Sequence, residues 1–159
     1  MDHTELCRLT AEKFVKTLAM YEVRGQWENP DVITWYSSGM SVVFEIKMSR
    51  ADFLRDFKKP CRKEGRRKCG NFHAYVCNGD FIRLEEIPDG WGLYHFIDGR
   101  FKEIRRLPAF GIYDNENKDW ACENSILVKH ILGSKFWNKQ NIVFNKRYFA
   151  GQAKEEESR

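Results

Sequence analysis

The stretch at positions 40–48, Met-Ser-Val-Val-Phe-Glu-Ile-Lys-Met, constrains the fold more than any other part of the sequence. Its continuous apolar run, Val42-Val43-Phe44, predicts a central strand covered on both faces. Glu45 and Lys47 follow, and they share a face because side chains alternate along a strand. Ionised groups in such a strand are costly unless each has a partner. The stretch therefore predicts a buried functional pair, with a surface ion pair on an edge strand as the alternative.

The remaining segments predict an alternation of helices and strands around that strand. We expect a helix over 3–20, strands over 31–36, 40–48 and 72–77, a hairpin joining 92–97 to 100–107 around Asp98-Gly99, and a helix over 120–132. Ser49 is the predicted N-cap of a further helix that ends before Pro60. Residues 134–153 give no clear pattern. The order predicts an α/β fold with a central mixed β-sheet flanked by helices.

Length and composition bound the remaining possibilities. A chain of 159 residues predicts a single domain, which we place at 1–153, with 154–159 as a disordered tail. No apolar run approaches the roughly 18 residues that span a bilayer, and the N-terminus is polar. We therefore expect a cytoplasmic protein without a membrane partner. The sequence does not indicate an oligomeric state.

The cysteines predict reduced thiols, because their number, five, is odd and no secretion signal precedes them. Cys61, Cys69, His73 and Cys77 carry the donor types of a zinc site. They lack the closely spaced cysteine pair of zinc knuckles. A zinc-bearing interaction domain therefore stays a minor alternative.

The net charge of +4 is concentrated in one segment. Positions 58–68 hold seven basic residues and one acidic residue, namely Lys58, Lys59, Arg62, Lys63, Arg66, Arg67 and Lys68 beside Glu64. Such clustering is typical of polyanion binders, although a solvated basic loop would have the same composition.

Three residues on adjacent strands form the candidate catalytic group. Pro30-Asp31 opens one strand and Glu45-Ile46-Lys47 ends the next, so a hairpin would bring Asp31 close to Glu45. Two carboxylates on a strand can bind a hard cation such as Mg²⁺ through oxygen. Lys47 beside them can orient or deprotonate a water molecule. A second Glu-x-Lys pattern, Glu116-Asn117-Lys118, lies in a polar stretch that predicts a loop or helix start.

The helix that follows supports this site. Ser49 lies two residues after Lys47, so the free N–H groups of the helix would point towards the strand end and favour a phosphate. Arg50 in the first turn could add a charged contact.

The motif Pro30-Asp31 with Glu45-Ile46-Lys47, in this order of elements, resembles the PD-(D/E)xK nuclease superfamily. Positions 45–54 and the later Trp91-Gly92-Leu93 are similar to the MmcB-like DNA-repair nucleases, and the resemblance covers about residues 5–107. It implies a restriction-endonuclease-like core, a metal held by Asp31 and Glu45, and a catalytic Lys47. Members often add a carboxylate from the first helix, for which Glu12 is the candidate.

We therefore predict a divalent-metal-dependent endo- or exonuclease that hydrolyses phosphodiester bonds. Asp31, Glu45 and the Ile46 carbonyl would hold Mg²⁺ or Mn²⁺, and Lys47 would position the attacking water. DNA as the substrate, in repair, recombination or phage DNA processing, is implied by the resemblance. The alternative is a nucleic-acid-binding module on the same fold that does not cut.

Overall fold

The computed structural model describes residues 1–59, 67–108, 118–132 and 141–148. The longer helices in these ranges are α1 (His3–Phe14), α2 (Arg50–Asp56) and α3 (Trp120–Leu132). The strands are β1 (Leu18–Tyr21), β2 (Val32–Trp35), β3 (Ser41–Lys47), β4 (Phe72–Asn78), β5 (Gly92–Ile97), β6 (Arg100–Arg105) and β7 (Ile142–Phe144). A short 3-10 helix spans Leu84–Glu86.

The described strands form one open seven-stranded sheet in the order β6-β5-β4-β3-β2-β1-β7. β3 pairs antiparallel with β2 and parallel with β4, and β5 pairs parallel with β4. The sheet is therefore mixed, with β3 at its centre and helices on its faces. This confirms the predicted α/β fold. The parallel pairing through α2 places the carboxyl ends of β3 and β4 side by side, where a site can be built.

The two faces of β3 pack against different helices. Val42, Phe44 and Ile46 lie in a cluster with the buried face of α1. On the opposite face, Val43 packs in a cluster with residues of α3. Every residue of β3 is buried, as the continuous apolar run predicts. Because the side chains alternate, Glu45 and Lys47 project from the same face as Val43, towards α2.

The first predicted helix was too long. α1 ends at Phe14, and Val15 already has an extended backbone with φ −57° and ψ 128°. The following residues form β1, which pairs with β2 on one side and β7 on the other. Phe14, Val15 and Leu18 match a helical stripe. The hydrogen bonds that two neighbouring strands offer nevertheless decide the conformation of residues 18–21. β7 falls in the region that the sequence left unassigned.

Other predictions about local structure are confirmed. Asp98 and Gly99 have φ values of 50° and 74°, as the tight turn of a β5–β6 hairpin requires.

Among the described residues, no helix is both long and apolar enough to cross a bilayer. The predicted tail at 154–159, the basic residues Arg62, Lys63 and Arg66, and the pair Glu116-Asn117 lie outside the described residues.

Candidate active site

Asp31 meets the Glu45-Ile46-Lys47 motif at the end of the β2–β3 ladder. Val32 pairs with Phe44, so Asp31 stands one position further along, opposite Glu45. Its Oδ2 accepts a hydrogen bond of 2.8 Å from the backbone N–H of Ile46. The carboxylate of Asp31 is thus fixed against the main chain of the predicted motif. The two halves of the motif, fifteen residues apart in sequence, are joined as the hairpin argument expected.

Glu45 and Lys47 belong to a group of four charges, which we call the quartet: the buried Glu45, Lys47 and Asp56, and the more exposed Lys59. Lys47 Nζ lies 3.3 Å from Glu45 Oε2 and 3.0 Å from Asp56 Oδ1. Lys59 Nζ lies 3.0 Å from the same Glu45 oxygen and 2.8 Å from Asp56 Oδ1. Two carboxylates therefore face two ammonium groups, and their formal charges cancel.

Three of the four charged side chains are buried, so each needs an opposite charge beside it. Glu45, Lys47 and Asp56 are only 1–2% exposed, whereas the side chain of Lys59 is 44% exposed. Burial lowers the pKa of Lys59, but the charges of Glu45 and Asp56 outweigh it and raise that pKa above its usual value. Lys59 is therefore held as an ammonium ion over the quartet and forms its solvent-facing side.

The sequence did not reveal Asp56, Lys59 or Tyr75 as members of the site. Asp56 lies three residues after Phe53 on α2, and both are buried. Tyr75 pairs with Glu45 across the β3–β4 ladder and donates a 2.7 Å hydrogen bond to Asp56 Oδ2. A carboxylate on the buried stripe of a helix was the signal available for Asp56. The sequence analysis placed Lys59 in the basic segment, as a surface residue that contacts phosphate. Its ion pairs with Glu45 and Asp56 instead make it part of the site.

A second polar group adjoins Asp31 on the α1 side. His3 Nε2 lies 3.6 Å from Asp31 Oδ1, and His3 Nδ1 lies 3.7 Å from Glu22 Oε1. Glu22 has a φ of 51°, unusual for a residue other than glycine, and its N–H donates to the Asp31 carbonyl at 2.7 Å. Burial raises the pKa of the Cys7 thiol, and negative charges raise it further, those of Asp31, Glu22 and Glu45.

The structure does not bring Glu12 to the site. Glu12 lies nine residues after His3, which corresponds to about 13 Å along the helix axis. It is exposed and forms a 2.6 Å salt bridge with Arg8. Neither its position along α1 nor its face suits the predicted role of an additional metal ligand, and that prediction loses its support.

We expect Glu12→Gln to retain the thermal stability and any cleavage activity of the parent. Its salt bridge is exposed, and such pairs contribute little. Parallel thermal unfolding and cleavage assays check this. A loss of cleavage at unchanged stability would restore Glu12 to the site.

Ser49 caps α2 as predicted, and Arg50 is engaged elsewhere. Ser49 Oγ accepts from the N–H of Asp52 at 3.2 Å, so the cap uses one of the N–H groups that were expected to face phosphate. The guanidinium of Arg50 forms a double salt bridge with Glu86, with one contact at 2.6 Å. This pairing lowers the pKa of Glu86 to about 2. Arg50 therefore ties α2 to the 3-10 helix and is not free for phosphate.

The described ends of the basic segment differ in exposure. Lys58 and Arg67 are exposed, while Lys68 is half-buried with its ammonium 5.8 Å from the centre of the Trp91 ring. Together with Lys59 in the quartet, these residues place the ends of the segment on the α2 side of the sheet. Lys58 and Arg67 are the described members that fit a contact with a polyanion.

Lys118, the lysine of the second Glu-x-Lys pattern, has a structural role. Lys118 is 1% exposed, and its Nζ lies 2.8 Å from Glu123 Oε2 and 3.0 Å from Asn71 Oδ1. It also lies 3.8 Å from the centre of the Trp120 ring. The ion pair with Glu123 lies within the start of α3, and the hydrogen bond to Asn71 joins that helix start to the residue before β4. The interpretation of this stretch as a helix start is confirmed at Asp119, whose carboxylate accepts from the N–H of Cys122 at 2.9 Å.

The cysteines do not assemble the predicted zinc alternative among the described residues. Cys7, Cys69, Cys77 and Cys122 are free thiols, and Cys61 lies outside the described ranges. Cys69 and Cys77 belong to different core clusters, and the ring of His73 stacks on Trp91. In the described part of the chain, the residues placed for a shared metal are instead His3, Cys7 and Glu22.

Comparison with known proteins supports the fold. No protein-family model and no curated protein matches the chain. Among solved structures, the chain is similar to SPO1766, a protein of unknown function from Silicibacter pomeroyi. The two share 18% sequence identity with a TM-score of 0.58, over 85% of this chain and 88% of that one. A likeness at this identity is one of fold.

Proposed function

We propose that this protein is a divalent-metal-dependent nuclease that hydrolyses phosphodiester bonds of nucleic acid, with DNA as the expected substrate from the PD-(D/E)xK resemblance. The observation that carries the proposal is the hydrogen bond between Ile46 N–H and Asp31 Oδ2. It fixes Asp31 beside Glu45 and Lys47, so that the three residues of the motif meet at one strand end. The core order of α1, three strands, α2 and β4 also fits a restriction-endonuclease-like fold.

The donor groups fit a hard divalent ion. Asp31, Glu45 and the Ile46 carbonyl offer only oxygen, which Mg²⁺ and Mn²⁺ prefer. Glu45 is almost wholly buried and lies within 3.3 Å of two ammonium groups, which shows that its carboxylate requires positive charge beside it. Bound there, a divalent ion would supply polarisation of a phosphoryl oxygen and a lower pKa for bound water.

The protein's own groups would then act as follows. Asp31 and Glu45 hold their orientation through the Ile46 N–H and the quartet. Lys47, held by Asp56 on one side, presents its ammonium beside Glu45, where it can orient the attacking water and stabilise charge on the phosphate. Asp56 and Tyr75 do not face substrate in this arrangement. They are positioning residues that fix Lys47.

Lys59 is the group that must move for a cation to approach Glu45. Its side chain is the exposed member of the quartet, and it is the second residue of the basic segment. A phosphate backbone arriving at that segment would offer Lys59 another anionic partner. Substrate binding would thereby uncover the Glu45 carboxylate.

We expect Lys59→Met to bind Mn²⁺ more tightly than the parent. Removing a positive charge 3.0 Å from a ligand oxygen should raise affinity on the order of tenfold, by the same electrostatics that shift a pKa by 1–3 units. Calorimetric titration measures this, with Lys58→Met, an exposed neighbour, as the control. Equal affinity in the parent and Lys59→Met would mean that Glu45 is not a ligand.

The exposed basic residues should set the salt dependence of nucleic-acid binding. Each phosphate contact contributes about 0.9 to the slope of log affinity against log salt. We expect the double variant Lys58→Ala and Arg67→Ala to reduce that slope by up to about 2, with similar effects on different sequences. Lys102→Ala, exposed on the edge strand β6, is the control. An unchanged slope in the double variant would place the binding surface elsewhere.

A nucleic-acid-binding module that does not cut is the second candidate. The quartet favours this second candidate, because the two carboxylates are already balanced by two ammonium groups without any added ion. The two candidates are separated by a cleavage assay with Mg²⁺ or Mn²⁺ over single-stranded, duplex, flapped and branched DNA and RNA. Binding without cleavage of any substrate would favour the module.

A further inference from the structure

A mixed cluster of nitrogen, sulfur and oxygen donors lies beside Asp31, on the α1 side of the sheet. The ligand atoms of His3, Cys7 and Glu22 all lie within 4.8 Å of one another. His3 and Cys7 are one turn apart on α1, and Glu22 directly follows β1. None of these three donors is among those proposed for magnesium, although Asp31, which is, lies 3.6 Å from His3 Nε2.

We propose that His3, Cys7 and Glu22 form a binding site for a zinc ion, and that Asp31 orients the histidine. The proposal does not depend on nuclease activity. It assigns to the N-terminal turn of α1 a role that the sequence motifs did not suggest.

Two of the separations between the donors are close to those around zinc. Tetrahedral zinc with Zn–N of about 2.0–2.1 Å, Zn–O of about 2.0–2.2 Å and Zn–S of about 2.3 Å keeps its ligands about 3.4–3.6 Å apart. His3 Nδ1 lies 3.5 Å from Cys7 Sγ and 3.7 Å from Glu22 Oε1. One histidine nitrogen therefore faces both other donors at nearly the spacing that a shared ion would impose.

The second nitrogen of the same ring faces a carboxylate. His3 Nε2 lies 3.6 Å from Asp31 Oδ1 and 3.9 Å from Cys7 Sγ. Histidines that bind metals commonly donate their other N–H to a carboxylate, which fixes the ring and its tautomer. Asp31 is itself held by the Ile46 N–H, and Thr4 Oγ1 donates to Glu22 Oε1 at 2.5 Å. Both carboxylates are therefore oriented.

The donor types select the ion. A thiol and an imidazole suit zinc and chemically similar ions such as Co²⁺, whereas magnesium takes oxygen ligands. Cys7 is fully buried, while the side chains of His3 and Glu22 are 39% and 34% exposed. Three protein ligands at the edge of the core leave a fourth position towards solvent, the pattern of zinc sites that bind water.

The test uses the full chain, stripped of metal and titrated with Co²⁺ and Zn²⁺. We expect one equivalent of Co²⁺ to produce the near-ultraviolet thiolate-to-cobalt charge-transfer band, and one equivalent of Zn²⁺ to abolish it. Cys7→Ser should remove the band. His3→Ala and Glu22→Gln should weaken binding more than the roughly 10–100-fold that loss of an orienting group such as Asp31 causes.

Matched controls separate this site from others. Cys77→Ser keeps a hydroxyl where Cys77 donates to the Gly79 carbonyl, and His130→Ala removes a half-buried histidine of α3. Both should bind as the parent does. His3→Ala provides a variant at a partly exposed position, so that the test does not rely on replacing the buried Cys7. Absence of a charge-transfer band in the parent, or its persistence in Cys7→Ser, would overturn the proposal. Neither result bears on magnesium-dependent cleavage.

Discussion

Asp56→Ala should lower the free energy of unfolding by about 3–5 kcal/mol, the cost of removing one partner from a buried ion pair. Asp56 accepts from Lys47 at 3.0 Å and from Tyr75 at 2.7 Å. Its loss would leave the buried ammonium of Lys47 with Glu45 alone and the Tyr75 hydroxyl without its acceptor. Urea denaturation of the folded protein measures the change.

A double-mutant cycle makes this test specific. If Asp56 and Lys47 stabilise each other, the double variant Asp56→Ala and Lys47→Met should lose less stability than the sum of the single variants. Glu12→Ala, at the exposed salt bridge with Arg8, should resemble the parent. Strict additivity in the cycle would show that the two side chains act independently, and it would contradict the pairing inferred from their 3.0 Å contact.

Lys47→Met should abolish cleavage while keeping divalent-metal binding, whereas Asp31→Asn and Glu45→Gln should lose both. The predicted ligands are the carboxylates, and Lys47 is proposed to act on water or on the phosphate. Positioned groups of this kind contribute about a hundredfold or more to rate, so the defect should be large. Methionine preserves the volume of the lysine chain, and Lys59 still faces Glu45 and Asp56 in this variant.

Two measurements on the same preparations separate the roles. Calorimetric titration with Mn²⁺ reports metal binding, and a gel-based assay reports cleavage. Lys118→Ala, which would destroy the second Glu-x-Lys pattern, is a poor control because Lys118 is buried against Glu123. Glu12→Gln serves instead. Normal cleavage by Lys47→Met would refute the assignment of Lys47, and metal binding by Glu45→Gln at parent affinity would refute that of Glu45.

Local sequence signals predicted the centre of the molecule well. The apolar run before Glu45 identified β3, and Ser49 identified the start of α2. Both depend on patterns within a few residues, namely strand alternation and the capping preference. The approach of Asp31 to Ile46 followed from the same alternation once two adjacent strands were assumed to pair.

Contacts between distant segments could not be predicted in this way. Strand β1 was assigned to a helix because its apolar residues fit both periods, and only its pairing with β2 and β7 decides between them. The partnership of Asp56 with Lys47 likewise depends on how α2 crosses the sheet. Arg50 could not be excluded from phosphate binding until Glu86, 36 residues later, was seen beside it.

The quartet has two consequences for how the proposed activity would be controlled. Its ammonium groups satisfy Glu45 in the absence of a divalent ion, so the folded state does not require metal at that position. The same groups compete with metal for the Glu45 carboxylate. Lys59 belongs to both the quartet and the basic segment, which would couple the proposed nucleic-acid binding to the state of the site.

The most direct test of the central claim is cleavage of a mixed panel of single-stranded, duplex and branched DNA by the parent protein and by Glu45→Gln. Each protein is assayed with Mn²⁺ and with excess chelator, at equal concentration and after circular dichroism has confirmed folding. We predict cleavage by the parent with metal, and none in the other three combinations. Cleavage by Glu45→Gln at the parent rate, or cleavage by the parent in the presence of chelator, would contradict the account.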